Sequence, residues 1–454
     1  MTRNINIKMP DKVKKIVGIL YRSNHEAFIV GGCVRDSILG IKPKDWDITT
    51  SAEPEEIIEL FNSEGCTTVP TGIKHGTITV VIEKEPFEIT TYRIDGEYKD
   101  SRHPSEVKFT KSLEEDLKRR DYTINAMAYN DKVGLVDYFN GQEDIDKKLI
   151  RAVGEPKKRL EEDALRMLRA HRFSAQLGFK IEKETSEAIK ALSVNIRQVS
   201  IERIREEFNK ILLSNNLVQL FQLYENGLLQ HFFGELANCF ERSKKKGDIS
   251  IYSHVYLIEL LQSIEKELSL RWAILINYIN EFSYNLEDTL VKPNQCKYST
   301  TSQDCASNIL KRMKYDNKTI ERVLVLAKYQ EVIISDKVAI KRILNTTGIE
   351  NFKALVEIKE AKIKLQSEND INEGMKEIVR IKEEFYEIIS SNQCFTIKDL
   401  AVKGEDIIKL GVKPGKFIGE ILNTLLDMVI NEPEINEKHI LIGKVKEQMD
   451  TREI

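Results

Sequence analysis

No stretch of the chain approaches the ~20 consecutive apolar residues of a membrane-spanning helix. The start, MTRNINIKMPDKVKK, lacks the apolar core of a secretory leader. Membrane insertion and secretion are therefore not expected. An excess of one charge is missing too. Lys+Arg 69 against Asp+Glu 72 leaves a formal net charge of −3, so any nucleic-acid contact must use a local basic patch. The six cysteines (Cys33, Cys66, Cys239, Cys296, Cys305, Cys394) form no CxxC and no recognisable framework, which predicts reduced thiols in a cytoplasmic protein. Seven histidines are scattered along the chain with no pair at metal-ligand spacing. There is no internal repeat and no low-complexity tract. What is present is a 454-residue chain with 41% apolar and 31% charged residues. That composition builds cores, and the length allows roughly two to four domains.

The first 140 or so residues read as mixed α and β. A helical pattern over Asp11–Arg22 precedes the apolar run Ala27–Val30, which Gly31-Gly32 interrupt before a short helix. Residues 45–50 read as a second strand. TITVVIE (77–83) and FEITTYR (87–93) are β-branched runs across a short polar turn, a hairpin signal. Residues 93–110 are polar, contain Gly96 and Pro104, and are predicted to form a long loop. Ser112 and Glu115 have capping-box spacing before a helix. From Arg151 onward strand signals fade. Residues 358–389 form a long, highly charged helical stretch that reads as a solvated face. The expected fold class is α+β: a small mixed-sheet head followed by an elongated all-α remainder.

The strongest chemical signal is Asp45-Trp46-Asp47. Residues i and i+2 of a strand share a face, so the two carboxylates converge, as hard Mg²⁺ ions require when substrate phosphate oxygens complete the shell. Gly31-Gly32 bare backbone N–H groups where a strand meets a helix, and Arg35 in the first turn can pair with phosphate oxygens. A plain tight turn and a surface Arg35–Asp36 ion pair are the competing readings.

The segment GGCVRDSILGIKPKDWDIT resembles the first motif of the class II tRNA nucleotidyltransferases, in the polymerase-β-like superfamily. RRDYTINA (119–126) resembles the family's ribose-proximal motif, DYFNGQEDIDKKLIRAVG (137–154) its hinge motif, and EDALRMLRAHRF (162–173) its base-selecting motif. The resemblance spans residues 27 to about 210. It implies transfer of a nucleoside monophosphate from CTP or ATP to an RNA 3′-hydroxyl. It also implies that Asp45 and Asp47 hold Mg²⁺, that Gly32, Arg35 and Arg120 contact the nucleotide, and that Asp163, Arg166, Arg169 and Arg172 line its pocket. A third carboxylate is usual in the superfamily, and Glu88 is the candidate. The loop at 93–110 resembles the flexible loop that accompanies terminal A addition. The implied organisation is a catalytic head (1–150), a base-selecting neck (151–215), a helical body (216–340) and a tRNA-binding tail (341–454).

Base selection has a chemical rationale. Cytosine and adenine each present an amine donor beside a ring-nitrogen acceptor; a carboxylate and a guanidinium complement that pattern, and uracil and guanine reverse it. Asp163 and Arg166, at i and i+3 of an expected helix, are the predicted pair. On an ideal helix Arg172 falls far round from Asp163, so it is expected to reach phosphate or brace the pocket. Residues 253–282 resemble a metal-dependent phosphohydrolase domain in which the ligand positions have decayed: His254 remains, but Asn277-Tyr278 stands where His-Asp is expected and Gln330 where a His is expected. A structural role without metal or hydrolase activity is the expectation there. The predicted activity is addition of C, C and A to tRNA. The alternatives are a poly(A) polymerase, an enzyme adding A alone, or a catalytically silent RNA-binding protein. No protein partner is identifiable.

Overall fold

The structure, a computed structural model, describes residues 5–96, 107–246, 253–284 and 300–450. The chain divides into two compact units, residues 1–246 and 247–454. In the first, helix α1 (Asp11–Arg22) buries Val13, Ile16, Val17 and Leu20 at helical spacing. It is followed by β1 (Ala27–Val30), α2 (Gly32–Ile38), β2 (Ile48–Thr50), α3 (Pro54–Ser63) and β3 (Thr67–Gly72). The expected hairpin is present as β4 (Thr77–Ile82) and β5 (Glu85–Thr91), with Ile82 paired to Glu85. Its two turn residues, Glu83 and Lys84, both have positive φ, as a two-residue turn matched to strand twist requires. Ile78, Val80 and Ile82 are buried on alternate positions of β4, each contributing about 1.5–3 kcal/mol of hydrophobic stabilisation.

The segment predicted as a loop differs at both ends. β6 (Arg93–Asp95) and β7 (Val107–Phe109) pair antiparallel, because β-branched and aromatic residues at its base find each other across the sequence gap. The interior, residues 97–106, lies outside the described residues. Helix α4 (Leu113–Lys118) starts at Ser112, whose hydroxyl accepts the Glu115 N–H at 3.4 Å. β8 (Ala128–Asn130) and β9 (Gly134–Val136) complete a seven-stranded mixed sheet of order β3-β4-β5-β2-β1-β8-β9. In it β2 lies antiparallel to β1 and parallel to β5.

Beyond the sheet the first unit is mainly helical, with α5 (Gly141–Asp146), α6 (Pro156–Glu162), α7 (Leu165–Leu177), α8 (Lys183–Leu192), α9 (Ile201–Leu212) and further helices to residue 246, besides a short parallel pairing of Leu149–Ile150 with Lys180–Ile181. His171 of α7 is fully buried, bonded to Gln219 at 2.9 Å and Asn226 at 3.2 Å, and burial pushes its pKa down to about 4. It is a packing residue.

The described part of the second unit is helical throughout. Trp272 is fully buried in Leu268–Tyr284 and donates to the Tyr315 hydroxyl at 2.9 Å. A separate core around Val402, Leu425, Val429 and Leu441 closes the C-terminal part. The long charged stretch is two helices, Ile349–Lys364 and Glu368–Ser390, not one. The chain breaks at residues 365–367, and the Ser367 hydroxyl donates to Asp370 at 2.6 Å, an end-of-helix contact that periodicity alone does not reveal.

Candidate active site

Asp45 and Asp47 stand just before β2 rather than within the strand as the sequence suggests. The segment is still fixed, because the Asp47 carbonyl accepts the Val30 N–H at 3.0 Å and so continues the β1 ladder. The carboxyl pKa of Asp47 is raised, first by desolvation and further by the charge of Asp45, while Arg120 opposes both. Asp47 therefore feels both the neighbouring Asp45 charge and the Arg120 guanidinium. This donor set suits a divalent, oxygen-seeking cation. Among the described residues no three His, Cys, Asp or Glu side chains come close enough to hold an ion. An ion bound here would rely on substrate and water oxygens for the rest of its shell. Ile48 pairs with Ile89 in register, so Glu88, one step earlier on β5, faces the same way as Asp47.

Behind the pair sits a carboxylate that sequence reasoning did not single out. Asp116 of α4 is fully buried and accepts from the Thr49 hydroxyl at 3.1 Å, the Arg93 N–H at 3.3 Å and Arg119 at 2.8 Å, with Arg120 at 3.5 Å. Burial alone would raise its pKa, but Arg119 and Arg120 outweigh that and hold it below the ordinary carboxylate value. It thus ties β2, the strand that follows Asp47, to the arginines of the second motif. The motif's spacing, four residues before Arg120, is the one signal that could have found it.

Gly31, not Gly32, is the glycine that the turn requires. Its φ is +80°, and a Cβ there would lie 3.1 Å from the Arg120 guanidinium. Arg35 is no surface residue. It is 8% exposed, donates to Asn125 Oδ1 at 2.6 Å and to Asp36 at 2.7 Å, and lies 5.3 Å from the Phe173 ring centroid. Arg169 lies at 5.3 Å and Arg172 at 3.9 Å from that same ring. Arg169 pairs with Asp121 at 2.6 Å and Arg172 with Glu207 of α9 at 2.5 Å. Arg172 therefore belongs with Arg35 and Arg169. The ideal-helix separation from Asp163 does not apply, since α7 begins only at Leu165.

Asp163 is likewise not the helical neighbour of Arg166. It sits between α6 and α7 at φ −140°, ψ 106°, and its carboxylate accepts the Leu165 N–H at 3.1 Å, a local turn ahead of α7. Its ion-pair partner is Arg203 of α9, at 3.0 Å. The Arg166 guanidinium is 8% exposed and bonds Glu162 at 2.6 Å and the Arg159 and Arg119 carbonyls at 2.7 and 3.1 Å. Arg203 and Glu207, four apart on the amphipathic α9, were missed because their partners, Asp163 and Arg172, lie in other segments of the chain.

Comparison with known proteins gives three family matches: "Poly A polymerase head domain" over residues 27–151, "Probable RNA and SrmB- binding site of polymerase A" over 178–240, and "tRNA nucleotidyltransferase domain 2 putative" over 296–445. The CCA-adding enzyme of Ligilactobacillus salivarius is 35% identical over 448 residues, covering 98% of both chains. That of Bacillus cereus (strain Q1) is 33% identical over 437 residues, covering 95% of this chain and 96% of the relative. Among solved structures, the Bacillus stearothermophilus CCA-adding enzyme in complex with CTP superposes with a TM-score of 0.75 at 28% identity, covering 98% of this chain and 99% of that one.

Proposed function

Because this chain belongs to the family of CCA-adding enzymes, we propose that it adds C, C and A to the 3′ end of tRNA from CTP and ATP, releasing pyrophosphate. The observation that supports the reading is the Asp45–Asp47 pair, with Arg120 near enough to act on Asp47, in a unit whose Arg35, Arg169 and Arg172 are each held by a carboxylate partner. Asp45 and Asp47 would hold Mg²⁺, which when bound polarises the α-phosphate and lowers the pKa of the attacking 3′-hydroxyl. Glu88, which the strand register puts on the same face as Asp47, would receive the hydroxyl proton.

Arg35, Arg169 and Arg172, grouped on Phe173, would receive the triphosphate. Their ion pairs hold them in place before the nucleotide arrives, so little ordering cost falls on binding. Arg120 would approach the nucleotide beside Gly31-Gly32, where the missing side chains leave room. Asp163 and Arg166 remain the base-reading residues of the proposal, acting from two different local structures. A carboxylate offers about four lone-pair sites, so Asp163 can accept from an exocyclic amine while Arg203 holds it. The helical second unit, residues 247–454, is proposed to contribute to tRNA binding.

The test uses tRNA transcripts ending at the discriminator base, at C and at CC, each incubated with CTP, ATP or both, with product lengths read on a gel. Completion of CCA on the first substrate from CTP plus ATP is expected. Addition of A alone, or an untemplated A tail, would overturn the reading in favour of one of the two enzymatic alternatives.

A further inference from the structure

Three guanidiniums from two helices meet on one aromatic ring, Phe173 of α7. Arg172 lies 3.9 Å from the ring centroid, and Arg169 of the same helix and Arg35 of α2 each lie at 5.3 Å. The ring is 4% exposed, so these contacts form where water is largely excluded. Among the described residues, Tyr21 and Tyr329 each carry a single lysine by comparison.

Gathered cations repel one another. The pKa of Arg172 is lowered, first by burial, with Glu207 opposing and the charges of Arg169 and Arg35 adding to the fall. Asp36, Asp121 and Glu207 each pair with one of the three arginines. The one group within reach of all three is the ring, whose negative face attracts a guanidinium most strongly when desolvated. A residue of a different motif fixes that ring. Tyr122 packs against it at 6.0 Å with the planes 78° apart, and the Tyr122 hydroxyl donates to the Arg166 carbonyl at 2.6 Å.

The cluster also keeps donors in hand. Arg169 meets Asp121 through Nε and Nη2, while Arg172 meets Glu207 through Nε and Gln176 through Nη1. Arg169 Nη1 and Arg172 Nη2 have no hydrogen bond or ion pair among the described residues, which suits them to an incoming anion.

We propose that Phe173 is a positioning residue for nucleotide binding: its π face holds the guanidiniums of Arg35, Arg169 and Arg172 together, so that the triphosphate meets cations already gathered. The proposal rests on the reading that these arginines receive the triphosphate.

The test is isothermal titration of the full chain with CTP and with CMP, in MgCl₂ and without tRNA. Nonsense suppression at position 173 supplies phenylalanine carrying one, two or three ring fluorines, which drain the π face while the side chain stays apolar and aromatic. The CTP dissociation constant should rise with each fluorine, by about tenfold at three, and the CMP constant should not move. Phe173→Leu should weaken CTP at least as much as the trifluoro ring. Arg172→Gln checks the underlying reading and should weaken CTP while sparing CMP. CTP affinity independent of fluorination would overturn the proposal, because a ring that merely fills the core is indifferent to its π charge. Parallel weakening of CTP and CMP would also overturn it, by placing the effect away from the phosphates. If Arg172→Gln leaves CTP binding intact, the triphosphate reading falls and the proposal with it; if that variant weakens CTP and fluorination does not, the proposal falls alone.

Discussion

Replacing Asp116 with Asn asks how much of the head depends on one buried charge. The side chain is fully buried, accepts from Thr49, the Arg93 N–H and Arg119, and has Arg120 within 3.5 Å. Asparagine keeps the volume and one acceptor oxygen, but it turns an N–H₂ toward guanidinium donors and leaves two arginines under-compensated. Removing one partner of a buried ion pair costs about 3–5 kcal/mol. Arg119 keeps a second carboxylate, Asp95 at 3.8 Å, which places the expected loss near the lower end, about 3 kcal/mol. Urea unfolding followed by Trp46 fluorescence, in a Trp272→Phe background, isolates the head because the chain has only two tryptophans. With a slope of about 2 kcal/mol/M the midpoint should fall by about 1.5 M.

The pH dependence carries a definite sign. The folded pKa of Asp116 is depressed below 3.8. Its contribution is therefore complete above the unfolded value and is lost as pH falls through the folded one. The gap between variant and wild type should close on acidification below about pH 4. A loss under about 1 kcal/mol at neutral pH, or a gap that widens in acid, would refute the reasoning.

Four further outcomes are expected. Asp47→Ala should reduce nucleotide transfer by several orders of magnitude while leaving tRNA retention on filters intact; retention of more than about a tenth of the rate would be incompatible with a metal-holding role. Asp163→Ala should relax discrimination against UTP and GTP by about 1–3 kcal/mol in single-turnover assays, and Arg203→Ala should do so in part by releasing Asp163; unchanged selectivity in both would remove the base-reading role. Deleting residues 96–106 should impair the final A more than the two Cs, whereas equal losses would make the segment merely structural. His171, with its pKa lowered from 6.5 to about 4, is neutral in the folded state, so stability should fall by up to about 3 kcal/mol as pH drops from 6.5 to 4. The slope should flatten in His171→Gln; an equally steep slope in that variant would assign the effect to other groups.

Local patterns determined a good deal by themselves. Alternation of β-branched residues marks the hairpin at 77–91, and the Gly-Gly break marks the turn from β1 into α2. Ser112 opens α4 where its capping spacing predicts. These features rest on forces that act within a few residues: side-chain period, capping and glycine's conformational freedom. What only the tertiary structure decided are the partners. Arg35 meets Asn125 ninety residues away, Asp163 meets Arg203 forty residues away, and Asp116 joins a strand it does not belong to. β6 and β7 close across a segment that reads as loop, and the long charged stretch breaks at 365–367. A charged side chain near a helix end has several partners within reach of its sequence neighbours. Which one it takes depends on which element packs against it and how much water that packing removes, and neither quantity is written in the spacing of residues along the chain.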